Sequence, residues 1–159
     1  MELVIAVVCV IVAVVAIVSL WAVLTARRLD RLHIRLDRAH DGLGAALDRR
    51  MAVVAALCPP LAPAAREAES IGFAPAQFHD RLLAERRVLD QLPTLSSRVQ
   101  AAELARADER VGLALRLYND AVSAARAVRL KPGVRALRLA GTAPMPEFCP
   151  QPPGEVHSG

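Results

Sequence analysis

Residues 3–24 read LVIAVVCVIVAVVAIVSLWAVL, a run of 22 residues without a charged side chain, and Thr25, Ala26, Arg27 and Arg28 follow at once. At 1.5 Å rise per residue, an α-helix of this length spans about 33 Å, enough to cross a hydrocarbon core of about 30 Å. Valine and isoleucine occur on every side of such a helix, and the remainder of a 159-residue chain offers little surface to enclose it. The run therefore predicts a membrane-spanning helix.

The alternative to a permanent anchor is a removable signal peptide. A secretory signal has a basic N-terminal region, an apolar stretch of about 7–15 residues and a small-residue cleavage site. Here only Met1 and Glu2 precede the run, the run is too long, and the one processing-like tripeptide, residues 24–26, lies directly before two arginines. We therefore predict an uncleaved transmembrane anchor over residues 1–26.

Basic residues around the apolar run indicate its orientation. No lysine or arginine precedes the run, whereas five arginines follow it closely, at Arg27, Arg28, Arg31, Arg35 and Arg38. Because positively charged flanks stay in the cytoplasm, we predict a single-pass protein of the cell (inner or plasma) membrane with a short outer N-terminus and a cytoplasmic body. Trp21, near the arginine end, suits the headgroup region, although it also fits an ordinary lipid-facing position.

Composition and motifs argue against several classes of function. Five aromatic residues in the whole chain are too few for a stacking nucleic-acid surface, so no nucleic-acid partner is predicted. Cys9, Cys58 and Cys149 have no CxxC spacing, and there is no HExxH, GxSxG or Gly-rich phosphate loop. His33 and His40 are about 10 Å apart along a helix, too far to share a zinc ion unaided. We predict no catalytic residue, metal or cofactor, with a hydrolase of unrecognised site as a distant alternative.

A heptad-like stripe continues beyond the apolar run and predicts that one helix extends from the membrane to about Leu57. Cys58 and the two prolines after it end this helix, since a residue before proline avoids the helical region. Arg50 lies on the stripe and needs an acidic partner if it is buried, for which we consider Asp108 and Asp120. The stripe, widened by Leu47 and Val54, consists of Leu29, Leu32, Leu36, Ala39, Leu43, Ala46, Arg50, Val53 and Leu57.

Two short helices are predicted next, one opened by Pro63 and one running from Pro75 to Pro93. In the second, Arg81 and Glu85 read as an exposed ion pair four residues apart. Its apolar face is formed by Phe78, Leu82, Leu89 and Leu92.

A last long helix is predicted from Ser97, which has capping-box spacing to Gln100, to about Leu130. The predicted fold is therefore all-α, an N-terminal transmembrane helix followed by an antiparallel three- or four-helix bundle with two long helices. The predicted divisions are an anchor over residues 1–26, a bundle over residues 27–148 and a disordered Pro-rich tail over residues 149–159.

Three segments resemble the LemA family. Residues 116–122, RLYNDAV, resemble its late R-x-Y-N-x-x-V signature. Residues 47–57 are similar to its L-x-R-R-x-x-L-I-P-N-L segment, although the proline and the asparagine are absent. Residues 140–148, AGTAPMPEF, look like a loosened form of its A-x-x-x-G-F-x-x-x-P-x-F ending. Residues 58–97 carry neither the usual His-Glu pair nor Y-P-x-L-x-A. The family-motif residues are Arg49, Arg50, Arg116, Tyr118, Asn119, Asp120, Val122, Gly141, Pro146 and Phe148.

The LemA resemblance implies a single N-terminal membrane helix and a cytoplasmic helical bundle, with no established enzymatic activity or cofactor. From the residues themselves, we expect the Tyr118 hydroxyl and Asn119 to tie neighbouring helices by buried hydrogen bonds, the alternative being a partner or ligand site. The predicted function is a membrane-anchored, non-enzymatic helical scaffold or interaction protein. The alternative is an accessory or sensing subunit of an envelope proteolysis or stress system, with an outward-facing body.

The predicted partners are the lipid bilayer through residues 3–24 and one or more proteins whose identity the sequence does not indicate. A further candidate contact is with anionic lipid headgroups, the alternative being a solvated face. It would use the densest basic run of the chain, Arg126, Arg129, Lys131, Arg135 and Arg138.

Overall fold

A computed structural model describes residues 1–94, 97–136 and 144–150, and all regular structure in these residues is helical. The prediction of an all-α chain is confirmed for this part of the protein. The α-helices are α1 (Glu2–Leu57), α2 (Ala62–Ser70), α3 (Phe78–Asp90), α4 (Arg98–Arg129) and α5 (Pro132–Ala136), with 3₁₀ turns at Pro59–Leu61 and Pro75–Gln77.

Helix α1 is continuous over 56 residues, as the lack of a turn signal after Leu24 predicted. Its apolar beginning is long and apolar enough to cross a membrane, and none of its most apolar 18-residue window is buried against the rest of the protein. The helix ends before Cys58, whose φ of −133° and ψ of 82° lie outside the helical region. Pro59 accounts for this exit, because its ring disfavours helical geometry in the residue before it.

Prolines and a serine set the starts of the later helices. Pro63 lies in the first turn of α2, as predicted. The helix predicted from Pro75 begins instead with a 3₁₀ turn, and its α-helical part starts at Phe78. Ser97 occupies the N-cap of α4, but its side chain makes no capping hydrogen bond. The capping-box spacing therefore located the helix start correctly, but the hydrogen bond that it implies is not formed.

Helix α1 packs against α4 and α2, and α2 packs against α3. The predicted stripe of α1 faces these helices: each of its residues is buried or half-buried. Near the apolar segment, Leu29 contacts Val128 and Val134. Further along, Leu43 and Leu47 pack with residues of α3 and α4. The far end forms a separate cluster of Met51, Val54, Ala65, Ala68 and Val88.

The beginning of α5 lies against the end of the apolar segment. A Cβ added to Gly133 would lie 2.6 Å from ring atom Cη2 of Trp21 and 3.1 Å from its Cζ2. Any side chain at position 133 would therefore require the indole or α5 to shift, because real Cβ atoms do not approach other atoms so closely. Gly133 thus allows α5 to pack directly on Trp21.

Candidate functional site

A buried cluster of charged side chains joins α1, α3 and α4. Glu85 of α3 is fully buried, and its two carboxylate oxygens accept separate bonds: Oε2 from Nη2 of Arg50 at 2.6 Å and Oε1 from Nε of Arg81 at 2.6 Å. Arg81 also donates through Nη2 to Asp48 at 2.6 Å, and Arg50 donates through Nη1 to Asp108 at 3.3 Å. The cluster contains two cations and three anions, so its charges largely cancel.

The prediction that Arg81 and Glu85 form an exposed pair is wrong. The two residues are bonded, but they are 2% and 0% exposed. Positions 81 and 85 lie on the same helical face as Phe78 and Val88, so the apolar residues around them carry them into the interior. Burial is tolerated because Arg50, on the stripe of α1, supplies a second cation to the carboxylate.

Arg50 is buried, and Asp108, one of the two acids considered as its partner, is bonded to it. Its closer partner, Glu85, was missed, because an i, i+4 Arg-Glu pair on a short helix is ordinarily a surface feature. The Nε of Arg50 is buried without a hydrogen-bond partner among the described residues.

Arg81 also holds the end of α2. Its Nη1 donates to the backbone carbonyls of Glu69 at 2.9 Å and Ile71 at 3.1 Å, which lie at the last turn of α2. Burial alone would lower the pKa of Arg81, but its hydrogen bonds to Glu85 and Asp48 and their negative charges raise that pKa above its usual value. The guanidinium is thus a permanent cation that fixes α2 and α3 to α1.

Residues 144–150, which we call the strap, lie along α4 without regular structure. The Tyr118 hydroxyl donates to the carbonyl of Glu147 at 2.9 Å. Asn119 makes two bonds with the backbone of Cys149, donating from Nδ2 to its carbonyl at 3.1 Å and accepting at Oδ1 from its amide at 3.0 Å. The predicted buried hydrogen bonds of Tyr118 and Asn119 therefore exist, but they hold the strap and not a neighbouring helix.

Burial raises the pKa of two groups where the strap meets α4, Tyr118 and Cys149. Burial, with smaller contributions from Cys149 and Glu147, raises the pKa of Tyr118 to about 12. Burial also raises the pKa of the Cys149 thiol to about 11, and its side chain is 2% exposed. Both groups are therefore neutral at physiological pH, and Cys149 is a packing residue of the core and not a reactive thiol.

Two arginines of the predicted basic run also contact the strap. The guanidinium carbon of Arg126 lies 5.1 Å from the centre of the Phe148 ring, and Nη1 of Arg129 donates to the carbonyl of Pro144. Arg129 is buried, whereas Lys131 is exposed. The side chain of Arg135 and the whole of Arg138 lie outside the described residues. The structure thus gives Arg126 and Arg129 an intramolecular role that the sequence did not predict.

A cavity of about 420 Å³ lies between α1, α4 and the strap. One of its walls joins an aromatic group in which His40, Phe73, Phe78 and Tyr118 are in ring contact. His40 also bonds the carbonyl of Phe73 through Nε2. The cavity lining includes Leu36, His40, Tyr118, Ala125, Pro144 and Pro146.

The remaining motif residues are spread over the surface and the core. Val122 is fully buried, while Arg49, Arg116 and Asp120 are exposed, and Gly141 lies outside the described residues. Asp120 is therefore not a partner of Arg50. The domain boundary predicted at residue 148 falls inside the strap, because the next residue belongs to the core, and the tail from residue 151 lies outside the described residues.

Among the described residues, no three His, Cys, Asp or Glu side chains are grouped so that they could hold a metal ion. The four histidines of the sequence differ in exposure: His33 and His79 are exposed, His40 is half-buried, and His157 lies outside the described residues. No family model, curated protein or solved structure matches the chain.

Proposed function

We propose that the protein is a membrane-tethered, non-enzymatic helical scaffold of LemA-like type, which presents an antiparallel helical bundle to protein partners in the cytoplasm. The observation that carries this proposal is the difference in burial between the two parts of α1. Its first part exposes valine, isoleucine and leucine side chains on all sides, whereas its second part carries the buried stripe that the other helices cover. Each apolar side chain of this size favours a non-aqueous surrounding by about 1.5–3 kcal/mol, so a bilayer is the natural environment of the first part.

The LemA-like assignment is supported by a contact between two of the three resembling segments. Tyr118 belongs to the signature on α4, and the carbonyl that accepts its hydrogen bond belongs to Glu147 of the segment 140–148. Asn119 of the same signature bonds Cys149, the residue that follows this segment. Segments that are distant in sequence and lie together in the fold are the expected behaviour of a shared structural motif.

Anionic lipid contact is part of this proposal, through a smaller set of residues than the basic run. Arg126 and Arg129 are engaged with the strap, whereas Lys131 is exposed two residues before Gly133, which touches Trp21. Lys131 is therefore at the level where the proposed span leaves the bilayer. Together with Arg27 and Arg28, it would attract anionic headgroups at about 1 kcal/mol per charge.

Membrane insertion is tested by extracting membranes with alkaline carbonate. The full chain is expected to stay in the membrane pellet and to be released by detergent. A variant in which residues 8, 12 and 15, three valines of the apolar segment, are replaced by aspartate is expected to lose membrane retention, because each charge costs about 2.5–3.5 kcal/mol at the centre of a span. Full-length chain in the soluble fraction would contradict the proposal.

Orientation is tested with a membrane-impermeant maleimide. Cys149 is a poor reporter because it is buried with a raised pKa, so the cysteine is introduced at exposed Ser123 of α4 in a chain whose native cysteines are serine. We expect labelling only after the cells are lysed. Labelling in intact cells would place the body outside and favour the accessory or sensing subunit of an envelope proteolysis or stress system.

A further inference from the structure

A second concave surface lies between α1 and α4, which we call the α1–α4 groove. Its volume is about 260 Å³, and none of the residues that line it belongs to α2, α3 or the strap. Those elements cover other parts of the two long helices and leave this side open. The groove is lined by Arg35, Arg38, Ala39, Gly42, Ala114 and Leu117.

The floor of the groove is made of small residues. Gly42 lies in the middle of α1, where glycine costs about 1 kcal/mol relative to alanine. A Cβ added at Gly42 meets no atom within 4 Å, whereas one added at Gly44, two residues on, meets the Phe73 ring at 3.5 Å. Packing within the chain therefore gives no reason for the glycine at position 42. Small residues on a helix surface let another helix approach closely.

The edges of the groove are apolar on α4 and basic on α1. Leu117, 50% exposed, lines it on α4, and exposed Arg35 and Arg38 line it on α1. Leu113, which is 52% exposed, and exposed Arg110 lie one helical turn before Leu117 and Ala114 on the same face of α4. No ion pair is formed by these three arginines among the described residues. On α1 the row of positions 31, 35, 38, 42, 45 and 49 reads Arg, Arg, Arg, Gly, Ala and Arg, with no acid.

We propose that the α1–α4 groove binds an amphipathic helix of a partner protein, whose apolar face is flanked by acidic side chains. A helix laid in the groove would cover Leu113 and Leu117 and approach Gly42 closely, and acids on its edges would pair with Arg35 and Arg38. The inference rests on the proposed scaffold function and deepens it, because it specifies the surface and the chemistry of the partner.

Two other occupants fit the charge of the groove less well. A second copy would bring the same basic rows together, and like charges face each other at a cost. Lipid headgroups are too far away, because Arg35 and Arg38 lie about 17 and 21 Å along the helix from Leu24, beyond the screening length of about 8 Å. An acidic helix satisfies both the charge and the shape.

The proposal is tested with a synthetic amphipathic helix of about 21 residues, with leucine and alanine at its a and d positions and glutamate at e and g. Its binding to the full-length chain in neutral detergent micelles is measured by fluorescence anisotropy. We expect saturable binding that weakens with salt, and no binding of the same peptide with lysine at e and g. Failure of the glutamate peptide to bind, or equal binding of the lysine peptide, would overturn the proposal.

Variants localise the binding to the groove. Gly42→Trp places a large ring in the groove at a position where a Cβ meets no atom of the described residues within 4 Å, and we expect it to weaken binding at least about tenfold. Gly42→Ala, which adds one small group, is the control for helix propensity. The double variant Arg35→Glu/Arg38→Glu is expected to weaken binding as much. Its matched control is Arg66→Glu/Arg87→Glu, which changes two exposed arginines of α2 and α3 by the same charge. Binding that these groove variants leave unchanged contradicts the proposal.

The alternative occupants are distinguished with a Gly42→Cys variant of a chain whose native cysteines are serine. Dimers linked by a disulfide between the cysteines introduced at position 42 of two chains, formed when the protein is reconstituted in vesicles, would assign the groove to a second copy. Protection of this thiol by anionic nanodiscs alone would assign it to lipid. Each result overturns the proposal, whereas protection by the glutamate peptide supports it.

The peptide assay and the membrane assays test the two proposals separately. A soluble chain that still binds the glutamate peptide would remove the tether and keep the groove. A membrane-embedded chain that binds no acidic peptide would keep the tether and remove the groove.

Discussion

Glu85 has no exposed surface, and within the described part of the chain its carboxylate is paired at close range with the guanidinium groups of Arg50 and Arg81. Each of the three residues would be costly to bury without the other two, so the cluster acts as one unit. It also links three helices, because Arg50 lies on α1, Glu85 and Arg81 on α3, and Asp108 on α4. The charged side chains thus specify which helices pack together, while burial of the apolar residues around them supplies the driving force for folding.

Replacing Glu85 by glutamine is expected to destabilise the protein by about 3–5 kcal/mol, because two buried guanidinium groups then face a neutral amide. The measurement is urea unfolding of the full chain in micelles, followed by far-ultraviolet circular dichroism. Asp90→Asn removes an exposed carboxylate from the same helix, whose pair with Arg86 is 3.9 Å long, and is expected to change stability by less than about 0.5 kcal/mol. Equal effects of the two substitutions would show that the cluster adds nothing.

Tyr118 is the only tyrosine of the chain, so phenolate absorbance reports its titration directly. We expect a midpoint at a pKa of about 12 in the folded protein and near the ordinary value of about 10 in strong denaturant. Because the pKa is raised on folding, this group's contribution to stability is complete below pH about 10 and is lost as the pH rises toward 12. A folded-state midpoint near 10 would mean that the strap does not cover the hydroxyl.

The burial of single side chains could be predicted from the sequence where helical periodicity applies. The stripe of α1 is buried or half-buried as the spacing predicted, because a helix repeats every 3.6 residues whatever its partner. Arg50 lies on this stripe, and its position indicated that it would need an acidic partner if it were buried. The choice of Glu85 depends on how α3 is placed against α1, and sequence spacing carries no information on that.

Among the elements, the strap differs from the helices because side chains of another element hold its backbone. An extended segment has no internal hydrogen bonds, so its amide and carbonyl groups need outside partners when they are buried. Asn119 supplies both kinds of bond to Cys149, as a neighbouring strand would. Residues 144–150 contain prolines and no periodic pattern, which is why the sequence indicated neither their docking nor the burial of Cys149.

Replacing Asn119 by alanine is expected to loosen the strap. Loss of two hydrogen bonds, each worth about 0.5–1.5 kcal/mol, should raise the labelling rate of Cys149 by maleimide by about 10- to 100-fold. Mass spectrometry of the full chain in micelles locates the label, and half-buried Cys58, which follows the last residue of α1, serves as the internal reference. Cys149 reacting as fast as Cys58 in the unmodified chain would contradict the docked strap.

Across the whole molecule, the contact of Trp21 with Gly133 of α5 joins the apolar segment to the rest of the protein. Leu29, Val128 and Val134 pack just beyond it. The sequence predicted a helix through the apolar segment but not this contact, because periodicity within one helix carries no information on which distant residue packs against it. Apolar clusters lie at both ends of the body, and the charged cluster around Glu85 lies on the side of α1 where α3 and α4 meet it.

Gly133→Val is expected to displace Trp21, because a Cβ at this position would lie 2.6 Å from the indole. Trp21 is the only tryptophan, so its near-ultraviolet circular dichroism reports the change, and we expect that signal to decrease while helical content is kept. Gly42→Val is the matched control, since open space surrounds position 42. An unchanged indole signal in Gly133→Val would mean that α5 does not touch Trp21.

Because α1 has no break between Leu24 and Leu57, it works as a stiff lever about 50 Å long. With residues 3–24 in a bilayer, a change of about 10° in their tilt, such as a thinner or thicker membrane imposes, swings the far end sideways by about 9 Å. The distance between that end and any neighbouring protein would then vary with the thickness of the membrane.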